Sequence, residues 1–401
     1  MTVNDQLFLR NGELPAWVSS KFSKKIFGAL GVQNVRFVGG AVRDAILDVS
    51  VSDIDMATTH KPDAVVDKLN AVGLKVIPTG LKHGTVTAVF GDEMREITTL
   101  RVDQQTDGRH AVVSYTDNWF VDAERRDFTI NAMYLSADGA LYDPFDGLAD
   151  LNAHRVRFIG DPTKRIEEDA LRILRFYRFS SRYADNIDHE GQRACRSARD
   201  KIKTLSTERV RDELLKLLSG TSPQQALMAM FESGVSESIF PDGFDALELL
   251  EQLEYDDQSK VHTSAITRLW LLAGEDSTPA RLASKFKLSG AQKRHLSQVA
   301  SIHAEGNALT EKHIRQLFYS FDPLTVCEAV YLMRDNALTS CVHEQAKYWE
   351  QKTLPVSAHD LMALGQEAGP GLGDALKSLE TKWLDSDFSL SKEELLNLIT
   401  S

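Results

Sequence analysis

The sequence predicts an α+β head followed by an all-helical remainder, and three observations carry that reading. Over the first 158 residues, short β-rich runs alternate with Gly/Asp turns and helical stretches. Beyond Asp161 the pattern is helical nearly throughout, with breaks near residues 220–223, 241–243, 275–279 and 369–373. The chain has 401 residues, 42% apolar and 26% charged, which at ~150 residues per domain allows two to four units with real cores.

Composition excludes several classes. No uninterrupted apolar run approaches the ~18 residues of a membrane span, and residues 1–17 lack the basic-then-apolar layout of a signal peptide. Cys195, Cys327 and Cys341 are too few and too scattered for a disulfide framework or a zinc cage. A cytoplasmic protein is expected, with no membrane and no protein partner. A net charge of -12 argues against coating nucleic acid by bulk charge and leaves room for a local basic site.

In the head, β-runs are expected at residues 35–38, 85–90, 96–100 and 155–159. The first ends at Gly39-Gly40, a helix-like segment runs to Leu47, and Asp53-Ile54-Asp55 follows. Residues two apart in a strand share a face, so Asp53 and Asp55 present two carboxylates side by side. They repel each other unless a hard cation sits between them, and Mg²⁺ favours a few carboxylates plus substrate phosphates. A lone D-x-D is usually a solvated acidic turn. Here a glycine pair that lets backbone approach a phosphate chain precedes it by twelve intervening residues, with Arg43 and Asp44 on the connecting segment.

Asp161-Pro162 is a good helix start, with an acceptor at the cap and proline in the first turn. On one continuous helix from there, Ile166, Ala170, Ile173, Leu174 and Tyr177 form the core-facing stripe. Arg172, Arg175, Arg178 and Arg182 fall on the other half, interleaved with Phe176 and Phe179. Docking of both aromatics on the head is favoured over their lining a nucleotide cleft. Asp169 and Arg172 are i,i+3 neighbours, by default a helical ion pair worth ~0.2–0.5 kcal/mol. The functional alternative is base reading: cytosine and adenine each offer an amino donor beside a ring-nitrogen acceptor, which a carboxylate and a guanidinium complement. Uracil and guanine present the reverse pattern. Residues 155–182 hold eight Lys or Arg against four Asp or Glu, a local excess of positive charge inside an acidic chain.

The glycine pair followed by D-x-D resembles the nucleotidyltransferase signature of the DNA polymerase β superfamily. In detail GGAVRDAIL…SDIDMAT is similar to the tRNA nucleotidyltransferase and bacterial poly(A) polymerase family, in its class II CCA-adding branch. TGLKHGTVTAVF, EITTLR, ERRDFTINAMYL, YDPFDGLADL and EEDALRILRFYRF agree in family order, covering residues 35–185 densely. No Walker P-loop or dinucleotide fingerprint competes. The resemblance implies a DNA polymerase β-like head at residues 1–158, a helical neck at 159–219 carrying the nucleotide-template helix, a body at 220–330 and a tail at 331–401. It implies CCA addition to the 3′ end of tRNA from CTP and ATP, with two Mg²⁺ ions held by Asp53 and Asp55. A third acid comes from Glu96, with Asp127 as the alternative.

By the same resemblance Gly40, Arg43 and Arg126 contact the nucleotide. Asp169 and Arg172 of the EDxxR motif select the base, and Arg175 and Arg178 are further nucleotide contacts on that helix. Body and tail hold the tRNA acceptor and T arms, with residues 359–383 similar to the family's tail segment. The runners-up are a poly(A) polymerase and a CC- or A-adding enzyme. A loop at residues 101–119, with the polar core DQQTDGRHAVV, favours full CCA addition. His359-Asp360 is a weak sign of a metal phosphohydrolase, and an inactive RNA-binding relative would have lost Asp53 or Asp55.

Overall fold

The computed structural model describes residues 6–7, 14–51, 53–81, 84–103, 113–241, 243, 246–259, 263–274, 277–306 and 309–400. The chain divides into two compact units, Met1–Ala246 and Leu247–Ser401.

The first unit carries the sheets. Its strands are β1 (Gln6–Leu7), β2 (Val35–Val38), β3 (Asp55–Thr58), β4 (Lys75–Gly80), β5 (Thr85–Phe90), β6 (Glu93–Thr99), β7 (Arg101–Asp103), β8 (Val113–Tyr115), β9 (Tyr134–Leu135) and β10 (Ala140–Tyr142). Eight of them form one sheet in the order β1-β10-β9-β2-β3-β6-β5-β4, and β7 pairs with β8 in a separate antiparallel ribbon. The loop residues between those two strands, 104–112, lie outside the described residues. Among the described residues, the pairings in the large sheet are antiparallel except β3 with β6, which are parallel and set Asp55 opposite Glu96. The β2 face is apolar because Val35 and Phe37 are fully buried, with Phe37 edge-on to Trp17 at 4.7 Å and to Phe27 at 5.2 Å.

Helices α1 (Lys21–Leu30), α2 (Gly40–Ile46), α3 (Pro62–Ala71), α4 (Trp119–Glu124) and α5 (Gly147–Asn152) are interspersed with these strands in sequence, with α2 on β2, α3 on β4 and β5, and α4 on β7. They are followed by α6 (Pro162–Glu168), α7 (Leu171–Tyr183), α8 (His189–Ala198), α9 (Thr207–Leu218), α10 (Gln224–Glu232) and α11 (Val235–Ile239). Helix α7 packs on α9 and α10. It also docks on the sheet-bearing part through Phe176 and Phe179, as expected. Phe158 stacks on Phe176 at 5.4 Å, and Phe128 lies 5.3 Å from Phe179.

Three expectations are corrected. Residues 155–159 form no strand; Phe158 makes only an isolated antiparallel bridge to Phe128, and Arg155 and Arg157 are tied to the buried Asp150. The helix from Asp161 is not continuous: Asp169 has extended backbone angles (φ -154°, ψ 108°), separating α6 from α7. Its side chain accepts the Leu171 N–H at 3.0 Å, a local bond that competes with helix continuation. Finally, the break expected near residues 369–373 falls slightly earlier, at residues 364–369, since Pro370 already occupies the first turn of a helix running to Asp385.

The second unit is all helical: α12 (Ala246–Ser259), α13 (Ala265–Leu272), α14 (Pro279–Lys285), α15 (Gly290–His303), α16 (Glu311–Ser320), α17 (Pro323–Tyr331), α18 (Asn336–Lys347), α19 (Ala358–Ala363), α20 (Pro370–Asp385) and α21 (Lys392–Thr400). Helices α16, α17 and α18 pack together across residue 330. A fully buried Arg268–Asp256 pair at 2.7 Å, shared with the Thr263 hydroxyl, links α12 and α13. Val356, Leu361, Leu379, Trp383 and Leu395 make the apolar centre of the C-terminal helices. Asp360 closes a capping box with Ser357 and pairs with Lys392, so the His359-Asp360 dipeptide is accounted for by a helix start. No helix among the described residues is long and apolar enough to cross a membrane.

Candidate active site

Gly39 takes a left-handed φ of +69° between β2 and α2, and its N–H bonds to the Met133 carbonyl at 3.3 Å. That turn needs a glycine. A side chain there would meet the Arg126 guanidinium at 3.5 Å, so the glycine pair and Arg126 are neighbours. Gly40 opens α2, and Arg43 follows on it, buried. The Arg43 guanidinium pairs with Asp44 at 2.8 Å, donates to Asn131 and lies 4.2 Å over the Tyr183 ring.

Asp53 and Asp55 are exposed and Ile54 between them is buried, so the alternation expected of a strand holds although β3 begins only at Asp55. The parallel register places Glu96 beside Asp55. A cleft of about 210 Å³ is lined by Asp55, Glu96, Thr98, Arg101, Arg125 and Arg126, among others. Among the described residues no three His, Cys, Asp or Glu side chains converge on one ion position. What forms is a carboxylate pair, Asp55 with Glu96, with the charge of Asp53 close enough to act on it. Desolvation, then Glu96, then Asp53 push the Asp55 pKa up to about 6, against the lowering effect of Arg126. A pair of hard oxygen donors whose charges repel fits Mg²⁺, which takes one or two carboxylates and completes its shell with phosphate and water.

The sign of that shift gives a prediction. In the ion-free protein Asp55 keeps its proton up to about pH 6. The stability from the protonated form is therefore present below the ordinary carboxylate range and lost as pH rises through 6. A divalent ion must displace that proton, so Mg²⁺ or Mn²⁺ affinity should be flat above pH 7 and weaken about tenfold per unit below pH 6. Calorimetric titration across pH 5–8 measures this; a pH-independent affinity would remove Asp55 from the ion site.

Asp127, the alternative third acid, is turned elsewhere. It is buried, accepts the Phe128 N–H and the Asn131 amide, and pairs with Arg175 of α7 at 2.5 Å. Burial works against its charge, but Arg175 and these donors outweigh it and hold its carboxyl below the usual carboxylate range. The stability it contributes is present above that range and lost as pH falls through the lowered value. Asp127→Asn should cost roughly 2–3 kcal/mol, tempered by the partial exposure of Arg175, and leave divalent-ion affinity unchanged. Thermal melts and ion titration read the two effects separately.

The arginines of α7 are held as a rack. Arg178 pairs with the buried Glu213 at 2.5 Å, and Arg175 reaches the same carboxylate at 3.6 Å. Arg43, Arg175 and Arg178 all lie over the Phe179 ring, at 5.2, 5.2 and 4.2 Å. Partners from outside residues 155–182, namely Asp127, Asp150 and Glu213, offset much of the local positive charge counted in the sequence. Arg182 is the more exposed member of the helix's arginines.

Asp169 and Arg172 do not pair with each other. Asp169 binds Arg209 at 2.7 Å, while Arg172 pairs with Glu168 and donates to the Arg165 and Arg125 carbonyls at 2.9 and 2.8 Å. The default helical ion pair is therefore absent, because the backbone leaves the helix between them. Sequence reasoning missed Asp122, Arg101, Arg209 and Glu213. Asp122 had a signal: it precedes Arg125 and Arg126 by three and four residues, the spacing of helical ion pairs.

Residues 35–157 match the Poly A polymerase head domain, and residues 186–247 match the probable RNA and SrmB-binding site of polymerase A. The chain is 33% identical over 380 residues to the mitochondrial CCA tRNA nucleotidyltransferase 1 of Danio rerio, across 91% of this chain and 87% of that one. It is 30% identical over 375 residues to the CCA-adding enzyme of Lactobacillus johnsonii, across 91% and 92%. The crystal structure of the Bacillus stearothermophilus CCA-adding enzyme in complex with CTP superposes with a TM-score of 0.71 at 24% identity, over 92% of this chain and 94% of that one. Likeness at that identity speaks for the fold. The two relatives share about a third of their residues along nine-tenths of the chain, and so it belongs to the CCA tRNA nucleotidyltransferase family and is a nucleotidyltransferase.

Proposed function

We propose that the protein adds CCA to the 3′ end of tRNA, taking CTP and ATP and releasing pyrophosphate. The observation that carries this is the in-register Asp55–Glu96 pair in one cleft with Arg101, Arg125 and Arg126, in a chain whose relatives bear the activity in their names. The RNA 3′-oxygen bonds to the α-phosphorus as the bond to the leaving pyrophosphate breaks. Asp53, Asp55 and Glu96 would hold two Mg²⁺ ions, which when bound lower the pKa of the 3′-hydroxyl and neutralise the triphosphate. The chain's own part is to place charge. Arg126 and Arg43, with the backbone at Gly40, face the triphosphate, and Arg175 and Arg178 support the nucleotide from α7.

Base choice falls to Asp169 and Arg172, one accepting the amino group of C or A and the other donating to the ring nitrogen. Arg172 is fixed by three acceptors, which holds its fork in one orientation before a base arrives. The neck at 159–219 carries the template helix, and the body at 220–330 and tail at 331–401 hold the acceptor and T arms. The three cysteines are free thiols, in keeping with a reducing, cytoplasmic setting.

Labelled CTP and ATP supplied to tRNAs ending at the discriminator, at C and at CC test the reading. Stepwise addition of C, C and A, then termination, is expected. Long A tracts would point to a poly(A) polymerase, and a stop after CC to a partial-activity enzyme.

A further inference from the structure

Asp122 of α4 is 1% exposed, and no role given above uses it. One of its oxygens, Oδ1, accepts from Nε and Nη2 of Arg125 at 2.9 and 2.7 Å and from the Arg101 N–H at 3.2 Å. Oδ2 accepts from the Tyr134 hydroxyl at 2.7 Å and from Arg126 at 3.2 Å. Burial alone would raise its pKa; Arg126, Arg125 and the Tyr134 hydroxyl outweigh that and hold it at about 2. A buried carboxylate is costly unless it is fully paired. Its three arginine partners, Arg101, Arg125 and Arg126, line the cleft. Arg101 also begins β7, the strand that leads into residues 104–112. Arg172 in turn donates to the Arg125 carbonyl at 2.8 Å.

We propose that Asp122 is the positioning residue of the cleft, holding Arg125 and Arg126 toward the triphosphate and tying the base of the β7–β8 ribbon to them. This rests on the reading of the cleft as the nucleotide site. Two neighbouring guanidiniums repel and, left alone, splay into water. A carboxylate shared between them offsets the repulsion, and the trio keeps one net positive charge for an anionic ligand. Tyr134 completes the arrangement, since its hydroxyl donates to Asp122 and accepts from Nε of Arg126 at 3.1 Å. Cations fixed before the ligand arrives bind charge without reorganising.

The test uses Asp122→Asn and Tyr134→Phe in the full chain, beside the wild type. Steady-state kinetics with CTP and ATP are combined with calorimetric binding of CTP and of inorganic pyrophosphate. Asp122→Asn should raise KM for both triphosphates about tenfold or more, change kcat far less, and weaken pyrophosphate in parallel. Discrimination of C and A against U and G should stay at the wild-type level. Tyr134→Phe removes one donor without changing shape, and should raise KM about threefold. Wild-type KM in folded Asp122→Asn, or a loss confined to kcat, overturns the proposal. If Asp122→Asn does not fold, wild-type KM in Tyr134→Phe overturns it. A wild-type protein that binds no CTP instead fails the reading of the cleft itself.

Discussion

Alanine at Asp53 or at Asp55 should abolish transfer of CMP and AMP alike, by on the order of 10³-fold or more, with the fold retained. Both side chains are exposed, so their removal opens no cavity, and Ile54 still packs inward. At Asp55 the fold loses a group whose charge is disfavoured, because desolvation of the carboxylate in the cleft, then Glu96 and Asp53, oppose its ionisation more than Arg126 favours it. Asp55→Ala should therefore melt no lower than the wild type at pH 8, as expected where a site stores unfavourable charge. The measurement pairs single-turnover incorporation at saturating Mg²⁺ with thermal unfolding. Normal turnover in either variant would take Asp53-Ile54-Asp55 out of the mechanism.

Substitutions at Asp169 and Arg172 should damage selectivity ahead of chemistry. Arg172→Ala removes the donor that uracil N3–H and guanine N1–H oppose, so UMP and GMP incorporation should rise relative to CMP and AMP, on the order of 10²-fold. Asp169→Ala should weaken C and A binding, since the acceptor for their amino groups is gone. Arg172 also fastens Glu168 and the carbonyls of Arg165 and Arg125, so part of any rate loss will come from loosening that joint. Glu168→Gln is the control: it weakens the Arg172 pair and keeps both base-reading groups. All four triphosphates are assayed singly on tRNA ending at the discriminator and at CC. Should Asp169→Ala and Arg172→Ala both lose rate with wild-type discrimination, the two residues serve the backbone break and not the base.

The head's motifs were legible because they are local. The glycine pair, the D-x-D alternation and the inward stripe of Ile166, Ile173, Leu174 and Tyr177 follow from periodicity and turn chemistry. Docking by Phe176 and Phe179 was likewise readable, since aromatics interleaved with arginines seldom stay in water. The place of the candidate third acid was not readable. Glu96 lies opposite Asp55 through a parallel pairing of strands distant in sequence, and no pattern within either strand fixes that register. Asp127, the alternative, is turned away from Asp55 by its burial against Arg175, which the sequence does not show. The break at Asp169 was hidden for another reason. An aspartate three residues before an arginine reads the same in a helix as at a cap, and only the backbone distinguishes them. Residues 155–159 carry strand-like apolar alternation, which Phe158 spends on the Phe128–Phe176 ring cluster instead.

Strand order across the large sheet bears on how the molecule is made. Gly39 at the cleft bonds to Met133, and β2, which leads into it, is flanked by β9, whose residues leave the ribosome long after β2 does. Asp55 meanwhile waits for β6, which is synthesised after β4 and β5. The cleft therefore cannot close during early translation, and a nascent chain ending before Tyr134 exposes one edge of β2. Pairings this remote in sequence slow folding, whereas the helices of the second unit are joined largely by neighbouring segments. Arrested chains of increasing length should accordingly gain protease resistance in the head only after the β9–β10 hairpin has emerged.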